Sequence, residues 1–324
     1  MSRQRGVVLI TVLLVVAMVT VVCAGLIARQ QLSIRSSANQ LHVNQAWQYA
    51  LGGETLAKAI LQRDLRQGDP RLPVDHLGEP WAQPMTFPLD EGGELRVRIV
   101  DPSGRFNLNS LVRRGQVDTL ALQRFRRLLL RLQIDKPYAE RLVDWLDGDS
   151  EPRGSQSAED NQYLLASPPY RTANRQIADV SELRLLLEMD DADYRRLLPF
   201  VSALPSEVLL NANTASAVVL SSLADGLDIN TAQALVAARG REGYASVAAF
   251  AAQPMLAGLG TQVAQGVAVG SQYFEVFSEV SLGERRVLLR SLLQRSNDGQ
   301  VSVLARDLGQ GGAMPAPPSE EPQR

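Results

Sequence analysis

The chain has 324 residues, with 33 lysines and arginines against 35 aspartates and glutamates, two histidines and one cysteine. This near-neutral balance offers no general basic surface for nucleic acid. The lone Cys23 excludes an intrachain disulfide and a cysteine-cluster metal site, and two histidines leave little room for a His-centred triad. The length suggests roughly two domains.

An uncharged apolar segment near the amino terminus is the strongest signal in the sequence. Residues 7–28 contain no charged side chain, and as a helix they would extend roughly 33 Å, which is enough to cross a bilayer. The short basic sequence before them ends in Gly6, whereas a secretory signal places its small residues after the apolar run. Taken alone, the segment also fits an ordinary single-pass anchor.

Arg3, Arg5, Gly6, Val7 and the apolar run together resemble the leader of type IV prepilins and pseudopilins. The resemblance implies that a prepilin peptidase cuts between Gly6 and Val7, that the new amino terminus is methylated, and that the apolar helix stays on the mature protein. Most members carry a glutamate five residues after the cut, where this sequence has Thr11. The pseudopilin type without that glutamate is the large minor one, the K type (general secretion pathway protein K).

Helical periodicity continues beyond the apolar segment. No proline occurs in the first 69 residues, and small and apolar residues recur at three- and four-residue steps over 46–61, which predicts one helix over about 7–66. Five prolines over 70–88 then predict a loop, in which Trp81 is expected to pack rather than to bind.

Alternating apolar and charged side chains predict a small sheet built from distant parts of the chain. One strand is expected at 94–100, and three more at 273–280, 286–293 and 301–305. The simplest topology is therefore an α+β, pilin-like fold: a long amino-terminal helix on a small antiparallel β-sheet, with a large all-α domain inserted in the sheet.

These elements divide the chain into six predicted segments. They are a prepilin leader (1–6), the transmembrane part of the helix (7–28), the rest of the helix with the first strand (29–101), the inserted helical domain (102–270), the remaining strands (271–308) and a disordered tail (309–324).

The insertion carries clear helix-boundary signals. Helices are predicted at 118–133, 137–147, 179–189, 191–198, 214–223, 230–239 and 246–252. The motifs F-N-L-N-S at 106–110 and L-N-A-N-T at 210–214 suggest a duplicated unit whose asparagines cap helices. Four arginines of the first helix are interpreted as a solvated basic face that could meet an acidic partner: Arg124, Arg126, Arg127 and Arg131.

An acidic loop at 144–161 is a candidate cation site. Asp147, Asp149 and Glu151 stand at alternate positions, and Glu159 and Asp160 could close round the same ion. The spacing is not that of an EF-hand, and a solvated acidic loop is the alternative. The loop and the segments that follow it resemble the K-type pseudopilins, and that resemblance implies calcium.

Residues 211–239 resemble a helix-hairpin-helix module, which can bind DNA through the amides of a Gly-x-Gly hairpin. Gly226 matches, but Asp228 replaces the second glycine, and Asp225 adds another carboxylate. The module is therefore interpreted as scaffold, with a membrane-anchored DNA receptor as the alternative function. No enzyme motif occurs, so no catalysis is expected.

The K-type resemblance covers nearly the whole chain. It implies a minor pseudopilin that caps or initiates the type II secretion pseudopilus in export across the outer membrane. The implied partners are the I-type and J-type minor pseudopilins, the prepilin peptidase and the inner-membrane assembly platform, with no nucleic acid. The protein would cross the inner membrane once, with its bulk in the periplasm.

Overall fold

The computed structural model describes residues 4–69, 73–90, 92–283 and 285–308. In chain order its helices and strands are α1 (Gln4–Gln67), β1 (Met85–Leu89), β2 (Gly93–Val100), β3 (Phe106–Asn107), β4 (Val112–Arg113), β5 (Gln116–Val117), α2 (Thr119–Arg131), α3 (Tyr138–Leu146), α4 (Asp160–Tyr163), α5 (Asp191–Leu197), β6 (Val201–Ser202), β7 (Leu210–Asn211), α6 (Ala217–Ser221), α7 (Ile229–Ala238), α8 (Val247–Ala251), β8 (Val267–Ala268), β9 (Tyr273–Leu282), β10 (Arg285–Arg295) and β11 (Val301–Asp307). The predicted disordered tail, 309–324, lies outside the described residues.

Helix α1 is the stem of the molecule and runs over the whole predicted range. From Val7 it is long and apolar enough to cross a membrane, and the side chains of residues 7–44 are exposed. Thr11 donates its hydroxyl to the carbonyl of Val8 at 2.9 Å. This intrahelical bond gives the hydroxyl an acceptor at membrane depth, where a carboxylate would need a partner from another chain.

The sheet has five antiparallel strands in the order β1-β2-β9-β10-β11. Strand β1 was not predicted, because it lies in the segment whose prolines indicated a loop. It is an edge strand, and Pro88 is tolerated there because its missing N–H is not needed by a second neighbour. The chain between β2 and β9 is inserted between two neighbouring strands of this sheet.

The core of the stem domain lies between α1 and one face of the sheet. Small side chains let the helix approach the strands, and Ala46, Ala50 and Ala57 are fully buried. Trp81 is also fully buried, against Phe274 with ring centroids 5.2 Å apart, so it packs as predicted. This packing buries enough apolar surface to hold α1, from Ala46 onwards, on the sheet.

Gly53 marks the closest approach of α1 to the sheet, and its replacement gives a first prediction. In Gly53→Ala the new Cβ would lie 2.6 Å from the Ser278 Oγ and 2.9 Å from the Val97 Cγ2, so we expect a loss of about 1–3 kcal/mol in the free energy of unfolding. Gly52→Ala is the matched control, because the described chain places no atom within 4 Å of that Cβ. The control should gain up to about 1 kcal/mol. Urea unfolding in detergent measures both changes, and equal effects would contradict the close approach.

The insertion leaves the sheet at the end that is far from the membrane segment. Gly53 lies against the middle of β2 and β9, whereas Asp64, later in α1, contacts Arg295 at the end of β10 with 2.9 Å between Oδ2 and Nη1. Arg295 follows Gln294, which pairs with Tyr273, the first residue of β9. The insertion therefore extends from the carboxyl end of the stem.

The insertion is mainly helical, with three two-stranded pairs, β3-β6, β4-β5 and β7-β8. Its two halves repeat one hydrogen-bond pattern, as the duplicated motif suggested. The first asparagine of each motif, Asn107 or Asn211, accepts the backbone N–H two residues later. The side chain of the second asparagine, Asn109 or Asn213, binds one residue in a distant loop twice. Its amide N–H donates to the carbonyl of that residue, and its amide oxygen accepts the N–H of the same residue. These second asparagines therefore close tertiary loops rather than cap helices.

Two predicted helices differ from the structure. The predicted helix at 179–189 is a 3₁₀ helix over Val180–Leu185; the Asp179/Glu182 capping box is present, but the helix ends early because Leu186 is extended. Helix α6 begins after Ser216 rather than at Thr214, because the Thr214 hydroxyl donates to Asp101 at 2.6 Å instead of capping.

The prediction of a solvated basic face on α2 is wrong for Arg124 and Arg127. Arg124 is buried and donates to backbone carbonyls in the second half of the insertion. Arg127 pairs with Asp225 at 2.6 Å, and Arg131 donates to a carbonyl at 3.0 Å. Arg126 and Arg131 are exposed, as predicted, and Arg126 contacts a glutamate of α3. Arg124, Arg127 and Arg131 lie on one side of α2, and their contacts join the two halves of the insertion.

Candidate functional site

The acidic loop begins where α3 ends. Asp144 is on the last turn of α3 and Asp147 is its C-cap, so their spacing of three residues places both side chains on one side of the helix. Glu159 is the N-cap of α4, after the exposed residues 148–156. The ends of two helices thus present carboxylates to the same place.

Three of the five predicted ligands come together. Carboxylate oxygens of Asp147, Asp149 and Glu159 all lie within 4.8 Å of one another. Glu151 is exposed and lies outside this group. Asp160 is also outside it: its Oδ1 accepts from the hydroxyl of Thr172.

Several oxygens around this group are buried and lack a donor. Among the described residues, no donor reaches the Oδ1 of Asp147, the Oε1 of Glu159 or the Oδ1 of Asn174. Both oxygens of Asp144 also lack a hydrogen bond of normal geometry, although the Ser157 hydroxyl and the backbone N–H of Arg153 are close enough to lower the pKa of Asp144. Asp144 and Glu159 are fully buried. Buried carboxylate oxygens without a donor or counter-charge are costly, so the arrangement is incomplete as a purely structural feature.

Burial also changes the pKa values of these groups. It raises the pKa of Glu159 to about 7, and the neighbouring charges of Asp144 and Asp147 add to the rise. Burial likewise raises the pKa of Asp144 to about 6. A raised pKa shows that the ionised carboxylates are poorly stabilised by the protein alone.

The donor set fits a hard cation. Ca²⁺ takes six to eight oxygen ligands from carboxylates, amide carbonyls and water. The five unpartnered oxygens, together with the carboxylate of Asp149, are all of these kinds. Asp144 and Asn174 were not among the predicted ligands, because Asp144 is off the alternate spacing of residues 147, 149 and 151 and Asn174 lies beyond the loop. Asp144 lies outside the group of three carboxylates, but its charge acts on Glu159. The three-residue spacing of Asp144 and Asp147 was the signal that could have found Asp144.

Arg153 contacts the same group from the solvent side. Its Nε lies 2.7 Å from the Oδ2 of Asp147, and its Nη2 lies 3.8 Å from the Oδ2 of Asp149. Asp147 is 1% exposed, whereas Arg153 is 44% exposed. The guanidinium is therefore an internal counter-charge at the edge of the cluster.

The helix-hairpin-helix segment presents carboxylates where a DNA phosphate would have to bind. Gly226 has a positive φ of 82°, as the hairpin requires. Asp228 caps α7 by accepting the N–H of Thr231 at 2.7 Å, and Asp225 is held by Arg127 of α2. These contacts disfavour a bound phosphate and connect the hairpin to the first half of the insertion.

The long apolar stem, the helix packed on an antiparallel meander and the helical insertion define a pilin-type subunit. Two comparisons with family models match the insertion, at residues 104–206 and 210–270, and both families are described as type II secretion system (T2SS), protein K. The two matched ranges correspond to the two halves that repeat the asparagine motif.

Full-length relatives agree with these matches. The chain is 61% identical over 322 residues to type II secretion system protein K of Pseudomonas aeruginosa, covering 97% of this chain and 95% of the relative. It is 39% identical to the protein of the same name from Klebsiella pneumoniae, covering 90% and 93%. A solved chain in the GspK-GspI-GspJ complex of enterotoxigenic Escherichia coli is similar, with a TM-score of 0.77, 31% identity and coverage of 85% and 99%. The chain belongs to the type II secretion system protein K family, and it is a minor pseudopilin.

Proposed function

We propose that this minor pseudopilin caps or initiates the pseudopilus that exports proteins across the outer membrane, and that it does so without catalysis. The observation that carries the proposal is the position of the insertion. Residues between β2 and β9 extend from the carboxyl end of the stem, far from the membrane segment. A further subunit stacked above would meet this helical head, whereas the exposed stem of residues 7–44 remains open to neighbours at the side and below.

The apolar stem and the leader-like sequence before it support the proposed assembly. The prepilin peptidase removes residues 1–6 after Gly6, Val7 becomes the methylated amino terminus, and α1 crosses the inner membrane once with the bulk in the periplasm. The similar solved chain is in a complex with GspI and GspJ, which supports I-type and J-type minor pseudopilins as partners here. The inner-membrane assembly platform completes the set of partners.

An epitope tag after Arg324 tests the position in the filament. Pseudopili sheared from cells that express the tagged chain should bind gold-labelled antibody at one end only. A tag on a subunit that forms the filament body is the control, and it should be labelled along the length. Labelling of this chain along the filament would contradict a tip position.

We further propose that the cluster around Asp147, Asp149 and Glu159 binds Ca²⁺. The buried oxygens that lack donors support this proposal, as does the predominance of carboxylates among them. The ion would join the carboxyl end of α3 to the amino end of α4 across the exposed residues 148–156, a connection that no disulfide can make in a chain with one cysteine.

A further inference from the structure

Arg153 and a divalent cation would use the same carboxylates. Its guanidinium lies on Asp147 and Asp149, which form the cation cluster together with Glu159. Asp147 is nearly fully buried and one of its oxygens is held by Arg153, while the other has no donor in the described chain. A cation that binds both oxygens of Asp147 must displace the guanidinium.

We propose that Arg153 is a built-in competing cation that sets the affinity of the acidic loop for divalent metal ions. In the metal-free protein its charge compensates Asp147 and Asp149. A metal ion entering the cluster displaces it to solvent, because two cations on the same carboxylate oxygens repel each other. This inference rests on the proposed cation site.

The surroundings of Arg153 allow this exchange. The side chain is half-exposed, and it belongs to the exposed segment 148–156, in which Gly154 follows directly. A long arginine side chain on such a segment reaches water without disturbing the buried carboxylates, so its release has a low cost.

Arg171 provides the matched control. It makes an equally short ion pair, 2.6 Å between its Nη1 and the Oδ2 of Asp160, at the other end of the same loop. Asp160 lies outside the group of three carboxylates. Replacing Arg171 therefore also removes one positive charge that is paired with the loop, but it frees no oxygen of the cluster.

The test is a terbium titration of the full-length protein in detergent, with luminescence sensitised by Trp145 on α3 and Tyr163 on α4, the two helices that present the carboxylates. Arg153→Gln should tighten terbium binding roughly tenfold, the value of one charged hydrogen bond. Arg171→Gln should change it by less than about twofold, as for an exposed charge outside the cluster. Competition by calcium repeats the comparison with the proposed ion.

A further variant and a folding check distinguish a wrong inference about Arg153 from a wrong cation site. Arg153→Lys keeps the charge and should stay near the wild-type affinity, and circular dichroism checks that each variant is folded. If wild type binds terbium and Arg153→Gln binds it equally or more weakly, Arg153 positions Asp147 instead of competing, and the inference is overturned. If neither wild type nor Arg153→Gln binds terbium, the cation site itself is wrong and the inference falls with it.

Discussion

Removing calcium should lower the melting temperature of the intact protein by roughly 5–10 °C, because an ion that binds only the folded state adds about 2.7 kcal/mol at 100 times its Kd. Asp144→Asn should reduce this difference, because the charge of Asp144 acts on Glu159 although Asp144 lies outside the group of three carboxylates. The same substitution should leave the metal-free protein as stable as wild type or more so, because Asp144 is fully buried and burial raises its pKa to about 6. Thermal unfolding in calcium and in chelator measures all four states.

A carboxylate outside the cluster gives the control for this experiment. Asp191→Asn changes an exposed residue at the start of α5, so the calcium-dependent difference should persist. A wild-type melting temperature that is the same in calcium and in chelator would contradict the site. So would an Asp144→Asn variant that keeps the full calcium effect.

Replacing Arg295 should destabilise the junction between stem and insertion by about 3–5 kcal/mol, because it leaves the buried carboxylate of Asp75 without its counter-charge. Arg295 is 2% exposed, and its Nη2 lies 2.6 and 2.7 Å from the two carboxylate oxygens of Asp75, which is itself 1% exposed. Its Nη1 also pairs with Asp64. Arg295→Met keeps most of the aliphatic volume and removes these bonds, and urea unfolding in detergent measures the loss.

Two variants check that charge is the cause. Arg285→Met, at the exposed start of the same strand, should change stability by less than about 0.5 kcal/mol. Adding Asp75→Asn to Arg295→Met should recover part of the loss, because an amide needs no counter-charge and its oxygen can still accept the N–H of Ser271. A double variant no more stable than Arg295→Met would show that packing, rather than charge, explains the effect.

The periodicity of apolar residues correctly predicted the helices and strands that bury one face. Signals from neighbouring residues were less reliable where contacts with distant parts of the chain determine the structure. Helix α1 and four of the five sheet strands follow from apolar spacing. Strand β1 does not, because Pro88 is acceptable only at the sheet edge, and a sequence does not reveal which strand is at the edge. Arg124 and Arg127 had the spacing of a solvated face, but the second half of the insertion covers them.

The candidate cation site was likewise predicted only in part from the sequence. The alternate spacing of Asp147 and Asp149 suggested ligands, and the structure places both in the cluster with Glu159. Asp144 was not proposed because it is three residues from Asp147 and therefore off the alternate spacing. Asn174 was missed because its approach depends on how the chain returns after α4. Buried oxygens without donors are visible only in three dimensions, and they are the stronger signal here.

The helical head lies at only one end of the stem, so the two ends of this subunit differ in the surface that they offer to a neighbour. Under the proposed function, every later subunit has to enter from the membrane side, so a growing fibre has room for one copy of this chain. The abundance of this protein would then limit how many fibres a cell can start, while their length would depend on the supply of the other subunits.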